Sequence, residues 1–260
     1  MTANGSGAGE VQVEVDGAIM VITIDRPAQR NAMTKAASER IAAALDELES
    51  RSDLTVAILT GAGGTFCAGM DLKRFAAGEL PRVDGRGFGG LVEAPPAKPL
   101  IAAVEGWALG GGLELVLACD LVVAAETARF GLPEVKRGLL ARGGGNVRLP
   151  RRIPRAFAMQ ALLTGEPFDA ARAREWGLVN EVVAEGQALA AARELARTIA
   201  ANAPLAVVAA KRLATESEDW PADELFARQT AISQPVFDSA DAVEGAAAFA
   251  QRRAPVWTGR

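Results

Sequence analysis

Apolar and polar positions alternate along Val11-Gln12-Val13-Glu14-Val15, and after the pair Asp16-Gly17 an apolar run extends from Ala18 to Ile24. The alternation predicts a β-hairpin with one wetted face, turned at a glycine that accepts positive φ. From Thr34 to Ser50 the period changes, and Ala37, Ile41, Ala44, Leu45 and Leu48 fall on one face of a helix. The run Val56 to Thr60 reads as a short buried strand, closed by Gly61-Ala62-Gly63-Gly64. A second unit repeats this logic, with Leu100 to Val104 as strand, Gly111 to Cys119 as helix, Asp120 to Ala124 as strand and Phe130-Gly131 as a short extended piece. Strands that alternate with helices predict an α/β core.

Further on, Ile153-Pro154 opens a helix that runs to Thr164-Gly165, Asp169 caps a short one ending at Trp176-Gly177, and Leu178 to Val183 returns as a strand. Beyond Gln187 the pattern is helical, over Ala188 to Asn202, Pro204 to Thr215, Glu224 to Ile232 and Ser239 to Arg253. These last helices are too few to bury all their apolar faces alone, so the chain divides into a core, 1–200, and a helical region, 201–260, that packs on the core or on another subunit. The segment from Arg74 to Lys98 holds several Gly and Pro and no clear period, which predicts a variable lid.

Half of the 260 residues are hydrophobic, ample for a buried core. A net charge of −4 supplies no general attraction for nucleic acid or an acidic membrane surface. The start, Met1 to Gly9, has neither a basic nor an apolar targeting segment, and no apolar run reaches membrane-spanning length, so a cytoplasmic location is expected. Cys67 and Cys119 stand far apart and signal neither a disulfide framework nor a zinc site. There is no histidine and no tyrosine, which removes Ser-His and Cys-His pairs and histidine metal sites together. No metal is expected, and acid–base work falls to Glu, Asp, Lys, Cys or the backbone.

The candidate chemistry lies between Glu105 and Glu134. Gly110-Gly111-Gly112 opens an apolar helix, so unpaired N–H groups and the positive end of a helix dipole can face a ligand oxygen at close range. Glu114 lies in the first turn of that helix, and Glu134 follows an extended piece and a tight Gly-Leu-Pro connection. Two carboxylates beside such a site point to proton transfer next to a carbonyl whose oxygen becomes negative.

Six ordered segments resemble the crotonase family, the enoyl-CoA hydratase/isomerase superfamily, across essentially the whole chain. They are Arg26 to Met33, Phe66 to Leu72, Trp107 to Glu114, Phe130 to Glu134, Thr164-Gly165 with Ala173 to Asn180, and Glu244 to Phe249 with Arg252 to Pro255. The resemblance implies an α/β spiral of repeated β-β-α units with a C-terminal helical trimerisation region, assembled as a homotrimer or a hexamer made of two trimers. It implies an acyl-CoA thioester as substrate, in fatty-acid or related acyl-CoA metabolism, with coenzyme A entering as part of that substrate and no separate cofactor. It carries the oxyanion hole onto the N–H groups of Ala68 and Gly111, and the hydratase pair onto Glu134, which exchanges a proton with carbon 2, and Glu114, which helps activate water for carbon 3. It assigns Ala28 and Arg30 to the nucleotide end of coenzyme A. Gly69, Met70, Asp71, Leu72, Trp107, Gly110, Pro133, Leu139 and Arg142 are assigned to substrate and coenzyme A binding.

One departure stands out. Arg142 occupies a position where the family pattern has a glycine that helps to position the catalytic water, and its side chain is expected to crowd that water or pair with Glu114 or Glu134. The leading expectation is an enoyl-CoA hydratase. The alternatives are a carnitinyl-CoA dehydratase-like enzyme, which Gly85 to Leu91 and Arg148-Leu149-Pro150 resemble, a Δ3,Δ2-enoyl-CoA isomerase, and a non-catalytic acyl-CoA-binding protein silenced by Arg142. A lysine comb for RNA is missing from the first helix, which has only Lys35 with Arg40. The basic run Arg148, Arg151, Arg152 and Arg155 is expected to form salt bridges or a subunit contact, and Arg252 and Arg253 to face solvent or a phosphate.

Overall fold

The hairpin forms as β1 (Val11–Asp16) and β2 (Ile19–Ile24) in the computed structural model, which describes residues 9–260. Helix α1 (Lys35–Ser50) and strand β3 (Val56–Gly61) follow. A short helix α2 (Leu72–Ala76) and the small strands β4 (Arg82–Val83) and β5 (Gly87–Phe88) lead to β6 (Leu100–Val104), β7 (Trp107–Leu109) and helix α3 (Gly111–Ala118). Next come β8 (Leu121–Ala125), β9 (Arg129–Gly131), α4 (Gly145–Arg152), α5 (Arg155–Thr164), β10 (Phe168–Asp169), α6 (Ala170–Glu175) and β11 (Glu181–Val183). The chain closes on α7 (Ala188–Ala200), α8 (Pro204–Glu216), α9 (Leu225–Phe237) and α10 (Ala240–Gln251).

The main sheet has the order β1-β2-β3-β6-β8-β11, antiparallel only between β1 and β2. Its strands are apolar on both faces because both faces are covered. Met20, Ile22, Ile24, Ala57, Leu59, Ala102, Val104 and Val122 pack towards α1 and α3, while Ile19, Val21, Ile58, Ile101, Ala103 and Val123 pack under α7. Small residues at Ala188, Ala192 and Ala196 give α7 a flat stripe against the sheet. Helix α1 starts where the Thr34 hydroxyl accepts from the Ala37 N–H, and it buries the apolar stripe read from its sequence.

A second sheet, β10-β9-β7, stands beside the first. Its strands are too short to carry a period, so β7 and β10 escape a sequence reading. Helix α4 also went unforeseen, because it begins in a glycine run and contains Pro150. Strand β11 is shorter than the apolar run suggested: Leu178 and Val179 are buried in the turn before it. Helix α9 continues past Ile232 through Pro235 to Phe237.

The segment from Arg74 to Lys98 is more structured than a variable lid. It contains the end of α2 and the β4–β5 hairpin, and it buries Leu91 and Val92 in the core. After Ala200, α8 and α9 bury none of their residues and α10 buries Asp241 and Ala248, while Phe226, Phe237, Val243 and Phe249 are exposed. Among the described residues no helix is long and apolar enough to cross a membrane.

Asn31 fixes the turn that joins these layers. It is fully buried with φ at 57°, its amide N–H groups donate to the carbonyls of Ala62 (2.8 Å) and Thr65 (2.5 Å), and its Oδ1 accepts from the Arg26 N–H (2.8 Å). Asn31→Ala leaves those groups unpaired in the interior, and a loss of about 3 kcal/mol is expected in urea unfolding.

Candidate active site

Each glycine of Gly110-Gly111-Gly112 is met by a different neighbour. A methyl at Gly112 would lie 2.0 Å from the Cys67 carbonyl oxygen, one at Gly111 2.2 Å from the Phe88 ring, and one at Gly110 3.1 Å from Glu134 Oε1. The start of α3 is thus pressed between the 67–71 segment, the β4–β5 hairpin and the loop that carries Glu134. As the first residue of the helix, Gly111 has an N–H without an acceptor among the described residues.

Register decides which N–H groups on the facing segment remain free. Cys67 bridges to Ala108, with its N–H on the Trp107 carbonyl (2.9 Å), and the Ala68 N–H donates to the Arg30 carbonyl (3.0 Å). Met70 bridges to Met33 in parallel fashion, so the bonds run from Met33 N to Gly69 O and from Asp71 N to Met33 O. In such a bridge the central residue's own N–H points to the other side, and that of Met70 has no acceptor among the described residues. Gly69 sits close to α3, where a methyl would fall 3.4 Å from the Gly111 nitrogen. The donor paired with Gly111 is therefore at Met70. The expectation of Ala68 is corrected, because its N–H is already spent.

Glu114 and Glu134 come together at this point. Glu114 is only 4% exposed, and its Oε1 accepts from the Gly145 N–H at 2.9 Å. Gly143 leaves room for the other oxygen, since a methyl there would lie 2.5 Å from Oε2. Glu134 is in the first turn of the 3-10 helix Pro133–Arg137, and its Oε2 is buried with no hydrogen-bond partner among the described residues. Burial pushes Glu114 up to about 7; the nearby Glu134 charge adds to the rise, while the N–H groups of Gly145 and Gly143 and the Arg148 cation oppose it. Burial also raises Glu134, against its own backbone N–H and the Arg137 charge.

Arg142 does not reach the pair. Its side chain is exposed and makes no ion pair among the described residues, so the expected bridge to Glu114 or Glu134 is absent. The cation that acts on Glu114 is Arg148, from α4. The Asp71 carboxylate is likewise committed, to the Arg26 guanidinium (3.1 Å) and to the Lys73 (3.1 Å) and Arg74 (3.3 Å) N–H groups as the cap of α2. The Asp71 side chain is thus held as a helix cap and ion-pair partner. Leu72, Trp107 and Leu139 are exposed and apolar, Pro133 is half-buried, and Ala28 and Arg30 lie exposed at the 3-10 turn Pro27–Gln29. In the basic run, Arg151 pairs with Asp219 (3.8 Å) and Arg152 donates to the Cys119 carbonyl (3.2 Å), while Arg253 grips Glu244. Among the described residues no cluster of His, Cys, Asp or Glu could hold a metal ion.

The profile for enoyl-CoA hydratase/isomerase matches residues 14–260. The chain belongs to this family. It is 45% identical to enoyl-CoA hydratase EchA19 of Mycobacterium tuberculosis over 95% of this chain and 96% of that protein, and 42% identical to the carnitinyl-CoA dehydratase of Salmonella typhi over 94% and 97%. Superposition on the crystal structure of an enoyl-CoA hydratase from Mycobacterium tuberculosis H37Rv gives a TM-score of 0.96 at 58% identity, covering 97% of this chain and all of that one (100%). The fold is that of the crotonase superfamily, and the chain is an enzyme of this family.

Phe88, Gly143, Gly145 and Arg148 complete the site and were not singled out as site residues by the sequence. The run Gly143-Gly144-Gly145, a second triplet like Gly110 to Gly112, was the available signal.

Because Glu114 ionises near pH 7 in the fold and near 4.5 when unfolded, the native state holds more protons between those values and loses stability as pH rises through them. Above that window the cost is about 3 kcal/mol. Glu114→Gln is expected to raise the midpoint of thermal unfolding at pH 8, with the gain fading towards pH 4 in calorimetric scans.

Proposed function

We propose that this protein is an enoyl-CoA hydratase, adding water reversibly and with syn geometry across the double bond of a 2-enoyl-CoA to give a 3-hydroxyacyl-CoA. The observation that carries the reading is the unlike provision of the two carboxylates: Glu114 is anchored by the Gly145 N–H, whereas half-buried Glu134 keeps one buried oxygen without a partner among the described residues, beside the glycine-opened helix. Raised ionisation at both suits a pair that carries one proton between them near neutral pH.

In the proposed reaction the thioester oxygen lies against the Met70 and Gly111 N–H groups. Two such donors contribute about 3 kcal/mol each to an enolate, since the charge forms only in the transition state. The Glu114 carboxylate takes a proton from water as its oxygen bonds to carbon 3. Protonated Glu134 gives its proton to carbon 2. Charge is balanced, and the active protonation state is restored by one proton passing from Glu114 to Glu134 through solvent. Hydrogen bonding at Glu114 and the vacant acceptor at Glu134 support this division of roles. A Δ3,Δ2-isomerase needs a single acid–base carboxylate, so the pair argues for hydration, and the exposed Arg142 removes the reason for a silenced acyl-CoA-binding protein.

Leu72, Trp107 and Leu139 suit the acyl chain, and Arg30 with the Ala28 backbone suits the nucleotide phosphates of coenzyme A. We place the enzyme in the cytoplasm as a trimer or hexamer, with region 201–260 at the contacts; the exposed Phe226, Phe237 and Phe249 support such burial. A carnitinyl-CoA dehydratase-like activity is the second reading, favoured by the Salmonella typhi relative.

Enoyl-thioester absorbance is the test, with 2-enoyl-CoA substrates of rising chain length and crotonobetainyl-CoA. Glu114→Gln and Glu134→Gln are each expected to lower kcat by about 10²–10⁴ with acyl-CoA still bound. For the wild type, kcat/KM should pass through a maximum, because the pair must hold one proton, and fall through a limb near 7 as its last proton is lost and no acid remains for carbon 2. No turnover of any member of the panel, or full turnover by either variant, overturns the assignment.

A further inference from the structure

Arg148 is the charged side chain at the site that this chemistry leaves without a task. It projects from α4, half-buried, and its Nη2 donates to the Val92 carbonyl at 2.6 Å. A methyl at Gly144 would lie 2.6 Å from Nη1, so the backbone yields space to the guanidinium. Val92 closes a turn on Phe88, its N–H reaching the Phe88 carbonyl at 3.3 Å, and the Phe88 ring covers Gly111. The Arg148 charge also acts on Glu114, whose Oε1 is held by Gly145, the first residue of the same helix. The guanidinium and the N–H that anchors Glu114 are thus one helical turn apart on one element.

No carboxylate lies within ion-pair distance of Arg148 among the described residues. The charged groups near this pair are Glu134 opposite Glu114, Arg152 on α4 and Arg137 beside Glu134. Arg148 is drawn towards neutrality by burial and held cationic by Glu114, which is the reciprocal of its effect on the glutamate.

We infer that Arg148 is a positioning residue that couples the Phe88–Val92 turn to Glu114, clipping the turn over the start of α3 while serving as the longer-range counter-charge of the glutamate. A hydrogen bond alone would need no cation, and a counter-charge alone would need no reach to Val92. One guanidinium meets both because it offers several donors around a delocalised charge.

The kinetic consequence rests on the hydratase reading, but the coupling itself is read without substrate. The Glu114 carboxyl is titrated by carbon NMR of glutamate-labelled protein in a Glu134→Gln background, and hydrogen exchange is followed at the amides of Phe88 to Val92. Arg148→Met is expected to move the Glu114 midpoint up by roughly half a pH unit or more and to speed exchange in the turn about tenfold, as a local opening loses about 1.4 kcal/mol of protection. Arg148→Lys should return the midpoint towards that of the wild-type residue while exchange stays fast. If Arg148→Met does not fold, Arg148→Gln takes its place. A Glu114 midpoint that ignores removal of the charge in a folded variant, or exchange that ignores loss of the donor, overturns the inference. With turnover present, the limb of kcat/KM moves with the midpoint. With turnover absent and the midpoint still moving, the hydratase assignment fails and the coupling stands.

Discussion

The absence of side chains at Gly110, Gly111 and Gly112 is the constraint on which the site depends. Three separate parts of the chain, the Cys67 carbonyl, the Phe88 ring and the Glu134 carboxylate, close on the same turn of backbone. A β-carbon at Gly112 would fall at 2.0 Å from a carbonyl oxygen that is itself bonded to Leu109, so relief would require the second sheet to shift. The approach leaves the first N–H of α3 without an acceptor among the described residues and brings the Glu134 carboxylate against Gly110. Anion-binding capacity at a helix start and acid–base capacity beside it arise from one steric fact.

Charge is arranged around that point at a cost to stability. Glu114 is buried in an otherwise apolar helix, and its compensation comes from backbone N–H groups and a longer-range cation rather than from a salt bridge. That partial compensation leaves its ionisation near neutrality, whereas a close guanidinium would have fixed it as a carboxylate far below. The opposite solution appears at Asp71, where a direct contact with Arg26 and two N–H groups hold the carboxyl below the usual range despite burial. One carboxylate caps a helix and is held ionised, whereas burial favours the protonated form of the other two.

Much of this was legible beforehand. The stripe Ala37 to Leu48, the strands of the main sheet and the glycine-opened helix all carry strong periods or punctuation, because each is long enough to show a buried face. Strands β7 and β10, helix α4 and the packed 74–98 segment lack such a period and exist through pairing with distant residues. The assignment of Ala68 failed for a related reason. Which of three successive N–H groups is free depends on two bridges, to Met33 and to Ala108, that lie far apart in sequence.

By itself the sequence determined the α/β alternation, the two glutamates and the glycines between them, and it excluded histidine chemistry by composition. These follow from residue type and local spacing, and the family resemblance covered the same stretch. Only the tertiary structure decided that Met70 rather than Ala68 offers the free donor, that Arg142 is exposed, and that Arg148 is the cation whose charge reaches Glu114. Register, burial and the direction of a long side chain are properties of what surrounds a residue, and those surroundings are assembled from segments that have no neighbour relation along the chain.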